Sequence, residues 1–241
     1  MDRKTKIIAT VGPSVFSEQK IHKLIESGVD VLRVNFSHGS YEDHKSVIEW
    51  GRSSEKNIAI MQDIQGPKIR TGKAKENTFL EKSKNLVVVN KEQESSSECI
   101  YINYEFLLRD INVGDRIFID DGQVVLKVTD KKEDNLQVLV LIGGELRDNQ
   151  GVAFPDSNLS VSAITEKDKK DLNFGTEQGV DFVAVSFVRN SDDIAMVKSL
   201  IPPDVKVIAK IELKLALENI DKIVEAADGV MVARGDLGVQ L

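Results

Sequence analysis

The chain has 241 residues, one cysteine and a formal net charge of -7, and these numbers exclude several classes of protein. An acidic balance argues against a general nucleic-acid binder, because phosphate backbones require a basic footprint. The lone Cys99 excludes an intramolecular disulfide framework and a cysteine-rich metal site. No stretch approaches the roughly 20 apolar residues that a membrane helix needs, so we expect a cytoplasmic protein without a membrane anchor.

The beginning of the chain alternates short β-rich runs with amphipathic stretches. Ser17 is a candidate N-cap of the first helix, and Gly28 is a candidate stop. A second helix is predicted from Tyr41 to Ser53. Strands are predicted at 6–11, 29–36 and 58–64. This β-α-β-α-β order is typical of a parallel sheet with crossover helices.

From about Pro67 to Pro155 the helical periodicity disappears. Short alternating strands are predicted instead at 86–89, 100–102, 116–119, 124–128 and 136–142. Asp121-Gly122, between two of these strands, indicates a hairpin turn. We interpret residues 67–155 as a small β domain inserted into a larger fold, whose two parts are residues 1–66 and 156–241.

After Pro155 the first pattern returns. Thr165 and Asp168 fit a capping signal at the start of a helix through Phe174. Further strands are predicted at 181–187, 205–212 and 229–233, with helices at 192–200 and 215–227 between them. Repeated β-α steps without a G-x-G-x-x-G fingerprint favour a TIM-type (β/α) barrel over a dinucleotide-binding fold. The chain ends after the last of these strands, so we expect a barrel that is incomplete at its C-terminus, with exposed strand edges.

Polar residues occupy the ends of the predicted strands, where barrel enzymes carry their functional groups. They are Arg33, Asn35, Ser37, Asp63, Ser186, Lys210, Glu212 and Asp236. Side chains alternate along a strand, so Lys210 and Glu212 share one face. Carboxylates that hold Mg²⁺ and an ammonium that neutralises charge suit phosphoryl or enolate chemistry. Taken singly, each residue also fits a structural ion pair, a turn or a helix cap.

The chain resembles the pyruvate kinase family in five segments that stand in family order. They are Thr5-Lys6-Ile7-Ile8-Ala9-Thr10-Val11-Gly12-Pro13, Arg33-Val34-Asn35-Phe36-Ser37-His38-Gly39, Asp63-Ile64-Gln65-Gly66-Pro67-Lys68-Ile69-Arg70, Lys210-Ile211-Glu212 and Ala233-Arg234-Gly235-Asp236-Leu237-Gly238. The resemblance runs from end to end of the chain. It implies an α/β fold in which an inserted small β-barrel domain serves as a mobile lid over the site.

The resemblance also implies a reaction and assigns residues to it. Phosphoenolpyruvate would give its phosphoryl group to ADP, and the products would be pyruvate and ATP. Lys210 and Arg33 would be the catalytic residues, and they would bind substrate together with Gly235 and Asp236. Mg²⁺, with Mn²⁺ as an alternative, would be held by Glu212 and Asp236.

Further positions match the cofactor and monovalent-cation sites of that family. Arg70, Asn35 and His38 are assigned to cofactor binding, although His38 before a glycine is by pattern more typical of a loop residue. The positions that match the monovalent-cation site are Asn35, Ser37, Asp63 and Ile64. Potassium-dependent members usually carry threonine and glutamate where this chain has Ile64 and Lys68. Because the Lys68 ammonium can replace the cation, we expect independence of K⁺.

Three other features depart from the family pattern. Gln150 stands where the family often has a lysine on the nucleotide side of the lid, so one positive charge is absent there. Leu213 follows Glu212 where a polar residue is usual, which leaves the metal ligand with drier surroundings. The threonine used near proton transfer and the regulatory domain of the family have no counterpart in residues 1–241.

Two other functions stay open on the sequence alone. An HpcH-type aldolase or lyase also holds Mg²⁺ with a glutamate and an aspartate at successive strand ends, but the β insertion and residues 33–39 argue against it. A truncated, non-catalytic remnant of a kinase would bind a ligand or partner without turnover. We expect small-molecule partners, phosphoenolpyruvate and ADP, and neither nucleic acid nor membrane. The complete family forms tetramers, and the oligomeric state of this chain stays open.

Overall fold

The computed structural model describes residues 4–240, which divide into two compact units. The parallel unit comprises the chain up to Gly66, Ala163–Ile211 and Ala216–Val232. The antiparallel unit comprises Pro67–Ser162, Glu212–Leu215 and the chain from Ala233. The chain returns to the parallel unit at Ala163, whereas the sequence pattern places this return at residue 156. Residues 1–3 and 241, the ends of the predicted barrel segments, lie outside the described residues.

Strands and helices alternate in the parallel unit, and short strands dominate the antiparallel unit. The strands are β1 (Ile8–Thr10), β2 (Val31–Asn35), β3 (Ala59–Ile64), β4 (Phe79–Leu80), β5 (Asn85–Val89), β6 (Cys99–Tyr101), β7 (Arg116–Ile119), β8 (Val124–Lys131), β9 (Leu136–Ile142), β10 (Gly144–Glu145), β11 (Val152–Ala153), β12 (Phe182–Val185), β13 (Lys206–Ile211) and β14 (Gly229–Val232). The helices are α1 (Glu18–Glu26), α2 (Tyr41–Arg52), α3 (Leu107–Asp110), α4 (Glu166–Glu177), α5 (Ser191–Leu200), α6 (Lys214–Glu218), α7 (Ile220–Ala226) and α8 (Arg234–Gln240), and a 3-10 turn spans Pro13–Val15. Among these helices none is long and apolar enough to cross a membrane.

A six-stranded parallel sheet forms the centre of the parallel unit, in the order β1-β2-β3-β12-β13-β14. Within this unit the order of strands in the sheet is their order along the chain. A doubly wound fold reverses its strand order at a switch point, whereas a TIM-type barrel does not. The predicted α/β class with parallel strands of a TIM-type barrel is therefore confirmed. Its edge strands expose Ile8, Val230 and Val232.

Helix α4 packs closely against the sheet at one glycine. A Cβ atom at Gly175 would lie 2.2 Å from Oε1 of Gln62 on β3, so a larger residue there would displace the Gln62 amide. The Gln62 amide donates to the main-chain oxygen of Asp171 at 2.6 Å. The start of α4 is the predicted capping box, in which the Thr165 hydroxyl accepts from the Asp168 main-chain N–H. That capping prediction is confirmed.

The predicted helix 215–227 is wrong as a single element, because α6 and α7 are separated at Asn219. The Asn219 side chain donates to the main-chain oxygen of Arg189 at 3.0 Å and fixes this break. The sequence pattern also misses α3 and the two-residue strands β4, β10 and β11. Elements of this length are too short to show a periodicity.

The antiparallel unit contains a second six-stranded sheet, in the order β11-β7-β8-β9-β5-β6. Its β7–β8 hairpin turns through Asp120, Asp121 and Gly122, which all have positive φ, so the predicted hairpin is confirmed. Residues next to the two edges of this sheet are linked through isolated bridges: Arg70 pairs with Gly151, and Thr71 pairs with Ile102. The core of the unit includes buried aliphatic side chains from β5 to β9 and from α3, and the partly buried Val152 of β11 packs against it.

Candidate active site

The Asp63 carboxylate is the centre of a charged cluster at the carboxyl end of the parallel strands. Asp63 lies near the end of β3, directly opposite Asn35 on β2 and Ala184 on β12. Asp63 is buried, with only 1% of its surface exposed to solvent. A buried carboxylate is stable when it is paired and hydrogen-bonded. Two cations supply this pairing, one from the adjacent strand β2 and one from β13, which lies two strands away in the sheet.

Arg33 is the first of the two cations, and it reaches Asp63 from β2. Its Nε donates to Asp63 Oδ2 at 2.6 Å, and its Nη2 lies 2.5 Å from the same oxygen. Its Nη1 donates to the hydroxyl of Thr10, at the end of β1, at 2.7 Å. These contacts use both edges of the guanidinium, so the planar group is held in one orientation. The Arg33 side chain stays 24% exposed.

Lys210 is the second cation, and it reaches the cluster from β13. Its Nζ lies 3.2 Å from Asp63 Oδ1 and donates to Ser186 Oγ at 2.8 Å. The Ser186 hydroxyl in turn donates to the main-chain oxygen of Ile64 at 2.7 Å. Asp63 therefore uses one oxygen for each cation, and Ser186 connects the lysine to the backbone after β3. The result is a lysine and an arginine held at a fixed separation around a single acid.

The loop after β2 carries three predicted site residues with mainly local contacts. Asn35 Oδ1 accepts from the Ser37 main-chain N–H at 3.0 Å, which is a turn contact. The His38 main-chain N–H donates to the Asn35 carbonyl, and the His38 side chain is exposed. Asn35, Ser37 and His38 were predicted to belong to cation or cofactor sites, and in the structure they form a turn after β2, where Asn35 lies opposite Asp63.

Helices α2 and α4 meet beside this loop in a polar network around the buried Asp171. Tyr41 Oη donates to Asp171 Oδ1 at 2.7 Å, and Lys167 Nζ binds Asp171 Oδ2 at 2.5 Å. Lys167 also donates to the main-chain oxygen of Phe36 at 2.8 Å. Burial, followed by the hydrogen bond to Asp171, raises the pKa of Tyr41 to about 12. Burial lowers the pKa of His44, whose ring stacks on Phe36 at a centroid distance of 4.1 Å.

The predicted Mg²⁺ ligands lie after the last two strands of the parallel sheet. Glu212 follows β13 directly and is 1% exposed. Asp236 does not end the last strand as predicted, because β14 stops at Val232 and Asp236 lies exposed in the first turn of α8, next to Gly235. Within residues 4–240, no cluster of at least three His, Cys, Asp or Glu side chains is arranged to hold a metal ion.

The remaining predicted residues belong to the antiparallel unit. Burial lowers the pKa of Lys68, Arg70 lowers it further, and Asp236 and Asp121 act in the opposite direction. The Arg70 main-chain N–H donates to Asn103 Oδ1 at 2.6 Å. These contacts describe the surroundings of Lys68 and Arg70 without assigning them a ligand.

Gln150, the residue in place of a lysine, faces the inside of the antiparallel unit. It is 7% exposed, and its Oε1 accepts from the Arg147 main-chain N–H at 2.8 Å. Its own main-chain N–H donates to the Thr71 hydroxyl at 3.0 Å. The side chain therefore stabilises a turn.

A cavity of about 520 Å³ opens at the opposite, amino end of the parallel strands. Lys6, Asp30, Lys56 and Asp181 are among its lining residues. Their charges have partners: Lys6 pairs with Asp30 at 3.6 Å, and Lys56 donates to the Glu26 carbonyl at 3.1 Å. This end of a barrel normally contributes to stability, and catalytic groups lie at the other end.

Two members of the charged cluster were missed as site residues by the sequence analysis. Thr10 is a polar residue at the end of β1, so the strand-end rule could have found it. Ser186 was noted as a strand end but given no role, because its bond to Lys210 depends on the register between β12 and β13. Arg33, Asp63 and Lys210 are the predicted residues that the structure brings into direct contact.

Comparison with known proteins gives the family of the chain. A family model described as "Pyruvate kinase, barrel domain" matches residues 2–241. The pyruvate kinase of Staphylococcus aureus (strain MRSA252) is 41% identical over 251 residues, which cover 99% of this chain and 43% of that protein. The pyruvate kinase of Geobacillus stearothermophilus is 40% identical over 252 residues, which cover 100% of this chain and 43% of that protein. The chain thus spans about two fifths of the length of these relatives. The sequence resemblance is confirmed, and the chain belongs to the pyruvate kinase family.

Proposed function

We propose that this protein transfers a phosphoryl group from phosphoenolpyruvate to ADP, with pyruvate and ATP as products. The observation that carries the proposal is the contact of Asp63 with both Arg33 and Lys210 at the carboxyl end of the strands. A phosphoryl group in transfer spreads negative charge over its oxygens, and positioned cations stabilise that charge. The family membership supplies the substrate class for this pair of cations.

Each cation has a separate part in the proposed reaction. An oxygen of the ADP terminal phosphate attacks the phosphorus of phosphoenolpyruvate, the bond from phosphorus to the enol oxygen breaks, and the enolate takes up a proton to become pyruvate. Lys210 neutralises the phosphoryl group in flight as a compact charge. Arg33 contacts phosphoryl oxygens through its planar fork. Asp63 orients both groups and keeps them from repelling each other before the substrate binds.

Glu212 and Asp236 are the proposed holders of Mg²⁺. Their chemistry fits, since both are carboxylates and Mg²⁺ binds hard oxygen ligands through one or two carboxylates together with substrate phosphates. When bound, the ion would supply charge neutralisation at phosphate and enolate oxygens. The position of Glu212 directly after the strand of Lys210 supports this assignment.

Two residues of the antiparallel unit, Arg70 and Lys68, are proposed to serve the nucleotide and to replace the monovalent cation. Arg70 is the proposed contact of the nucleotide, and the inserted β domain is the proposed lid. Lys68 carries an ammonium where potassium-dependent members carry a carboxylate, so the proposed activity does not require K⁺. Asn35, Ser37, Asp63 and Ile64 would then surround a site that needs no ion.

The test is an assay of pyruvate formation by the purified protein from phosphoenolpyruvate, with ADP, Mg²⁺ and K⁺ each left out in turn. The proposal expects formation that requires ADP and Mg²⁺ and that is unchanged without K⁺. Pyruvate released from an aldol substrate without nucleotide would favour the aldolase instead. A cooperative thermal transition with no turnover would favour the non-catalytic remnant. Either of these two results would overturn the proposal.

A further inference from the structure

Two helices of the parallel unit begin with the same capping box. In α2, Asp43 Oδ2 accepts from the Ser40 main-chain N–H and from the Ser40 hydroxyl, both at 3.0 Å. In α4, Asp168 Oδ2 accepts from the Thr165 main-chain N–H at 2.8 Å and from the Thr165 hydroxyl at 2.5 Å. Both acids lie at the third helical position, where a negative charge also interacts favourably with the positive end of the helix dipole.

The two acids differ in the use of their second oxygen. Asp168 Oδ1 accepts from the main-chain N–H of Gly66 at 3.0 Å, and this bond joins residues 102 positions apart. Asp168 is 0% exposed, whereas Asp43 is half-buried and bonds within its own capping box. A helix cap needs one oxygen of the carboxylate. The second oxygen of Asp168 is therefore not needed for the cap, and it binds the segment after β3 instead.

Gly66 forms a tight corner against the partner of Lys210. It has φ +66°, and a Cβ atom there would lie 3.2 Å from the Ser186 carbonyl oxygen and 3.2 Å from a ring carbon of Phe187. Phe187 itself has φ +55°, a conformation that is strained for a bulky residue and persists only when its surroundings hold it. The segment after β3 is thus pressed onto the segment after β12.

This corner leads directly to the charged cluster. Ser186 Oγ donates to the Ile64 carbonyl at 2.7 Å and accepts from Lys210 Nζ at 2.8 Å. A chain of contacts therefore runs from Asp168 through Gly66 and Ser186 to the lysine. Asp168 is buried and its two carboxyl oxygens accept hydrogen bonds from Gly66 and Thr165, so this residue is fixed at one end of that chain of contacts.

We infer that Asp168 is a positioning residue for Lys210, because it fixes the Gly66 corner against Ser186. Its effect on catalysis rests on the proposed phosphoryl transfer, but its effect on the corner does not. Asp168 touches neither substrate nor reacting atoms in this account. It sets the place of the Ser186 hydroxyl, and the hydroxyl sets the place of the lysine ammonium.

The first test measures amide hydrogen exchange by NMR in three variants. The substitution Asp168→Asn keeps the size of the side chain but leaves one acceptor oxygen. That oxygen cannot accept hydrogen bonds from the N–H groups of both Thr165 and Gly66. We expect the Gly66 amide to exchange at least about tenfold faster than in the wild-type protein. Asp43→Asn changes the matched capping box and should leave Gly66 unchanged. Thr165→Val removes the capping hydroxyl alone and should also leave Gly66 protected.

Equal Gly66 exchange in Asp168→Asn and Asp43→Asn would overturn the inference, and so would faster exchange that is confined to the first turn of α4. If Asp168→Asn does not fold, the wild-type protein still decides the matter. There the Gly66 amide should be protected at least about a hundredfold relative to an unstructured glycine amide. An unprotected amide would contradict the bond to Asp168.

The second test separates positioning from substrate affinity. Asp168→Asn should lower kcat for pyruvate formation by about tenfold and leave KM for phosphoenolpyruvate within about twofold, because a displaced lysine loses contacts of the transition state. Asp43→Asn should leave both constants within about twofold. Equal kcat values in the two variants would overturn the positioning role. Absence of turnover in the wild-type protein would contradict the proposed function instead, while hydrogen exchange would still test the corner.

Discussion

Aspartates act differently at the two ends of the parallel sheet. At the amino end, three of them stand directly before strands and bind the main chain in, or directly before, the neighbouring strand. Asp30 accepts from the Ile7 N–H at 2.7 Å, Asp181 from the Ile60 N–H at 2.7 Å and Asp228 from the Val207 N–H at 2.9 Å. At the carboxyl end, the Asp63 carboxylate binds the side chains of Arg33, Lys210 and Ser186.

This difference separates acids that stabilise the fold from an acid that organises a site. The amino-end aspartates satisfy backbone donors that would otherwise lack a partner. Asp63 neutralises the charges of Arg33 and Lys210. Stability of the sheet does not require these charges, since replacing a buried ion pair by apolar side chains of similar volume often leaves stability unchanged or higher. Holding two cations in place at the carboxyl ends of strands therefore fits the proposed phosphoryl transfer, and the predictions below test that distinction.

The largest effect is expected for Asp63→Asn. This change leaves Arg33 and Lys210 without their shared carboxylate, and removing one partner of a buried ion pair typically costs about 3–5 kcal/mol. Denaturant unfolding would measure the loss in free energy of unfolding. A loss below about 1 kcal/mol would mean that the cluster is not coupled as described.

A smaller effect is expected at the amino end for Asp181→Ala. The variant loses the bond to the Ile60 N–H and the 2.8 Å pair with Arg52, but the pair is half-exposed, so water replaces part of both. We expect a loss of about 1–2 kcal/mol in the free energy of unfolding, with unchanged activity. A loss as large as that of Asp63→Asn would remove the distinction between the two ends.

Acid sensitivity in the mildly acidic range should come from the carboxyl end. Burial lowers the pKa of His44 below 6.5, while the charges of Asp171 and Asp43 raise it and that of Lys167 lowers it. The unfolded state therefore binds a proton first, so stability is complete above pH 6.5 and declines as pH falls from 6.5 toward the lower folded pKa. The substitution His44→Phe keeps an aromatic ring against Phe36 but removes the titrating group. The free energy of unfolding of this variant, measured as a function of pH, should therefore lack this decline. The exposed His38→Gln serves as control and should retain it.

The smallest effect should appear at lower pH and at the amino end. The hydrogen bond from the Val207 N–H, with help from Lys198, holds the pKa of Asp228 below 3.8. Its contribution to stability is present above pH 3.8 and is lost as pH falls through the folded pKa. The stability difference between the wild-type protein and Asp228→Asn should therefore narrow in that range. A difference that stays constant would contradict the link to Asp228 ionisation.

Sequence reasoning reached the residues whose position follows from their place on a strand. Arg33, Asp63 and Lys210 were predicted together, because the carboxyl ends of parallel strands meet at one edge of a sheet. The role of Ser186 was not predicted, since it depends on the register of β12 against β13. The position of Asp236 in α8 rather than in a strand depends on where β14 ends, and strand ends are the least certain part of a sequence pattern.

Contacts between segments that are distant in sequence could not be predicted. The sequence shows Asp168 as a helix cap, but its bond to Gly66 joins positions 102 apart and follows only from the folded sheet. The break at Asn219 likewise comes from a side-chain bond to Arg189, which overrides a continuous helical pattern. Local patterns thus located the charged residues, and tertiary contacts determine which of them are held in place.

The proposed role of Lys210 in phosphoryl transfer is tested by comparing two lysines at opposite ends of the same sheet. Lys210→Met removes the ammonium that contacts Asp63, and Lys56→Met removes one that contacts the Glu26 carbonyl. Pyruvate formation from phosphoenolpyruvate and ADP would be measured in both variants and in the wild-type protein, with folding checked by thermal melts. We expect loss of activity in Lys210→Met and wild-type activity in Lys56→Met. Retained activity in Lys210→Met, or no activity in a folded wild-type protein, would contradict the proposed role.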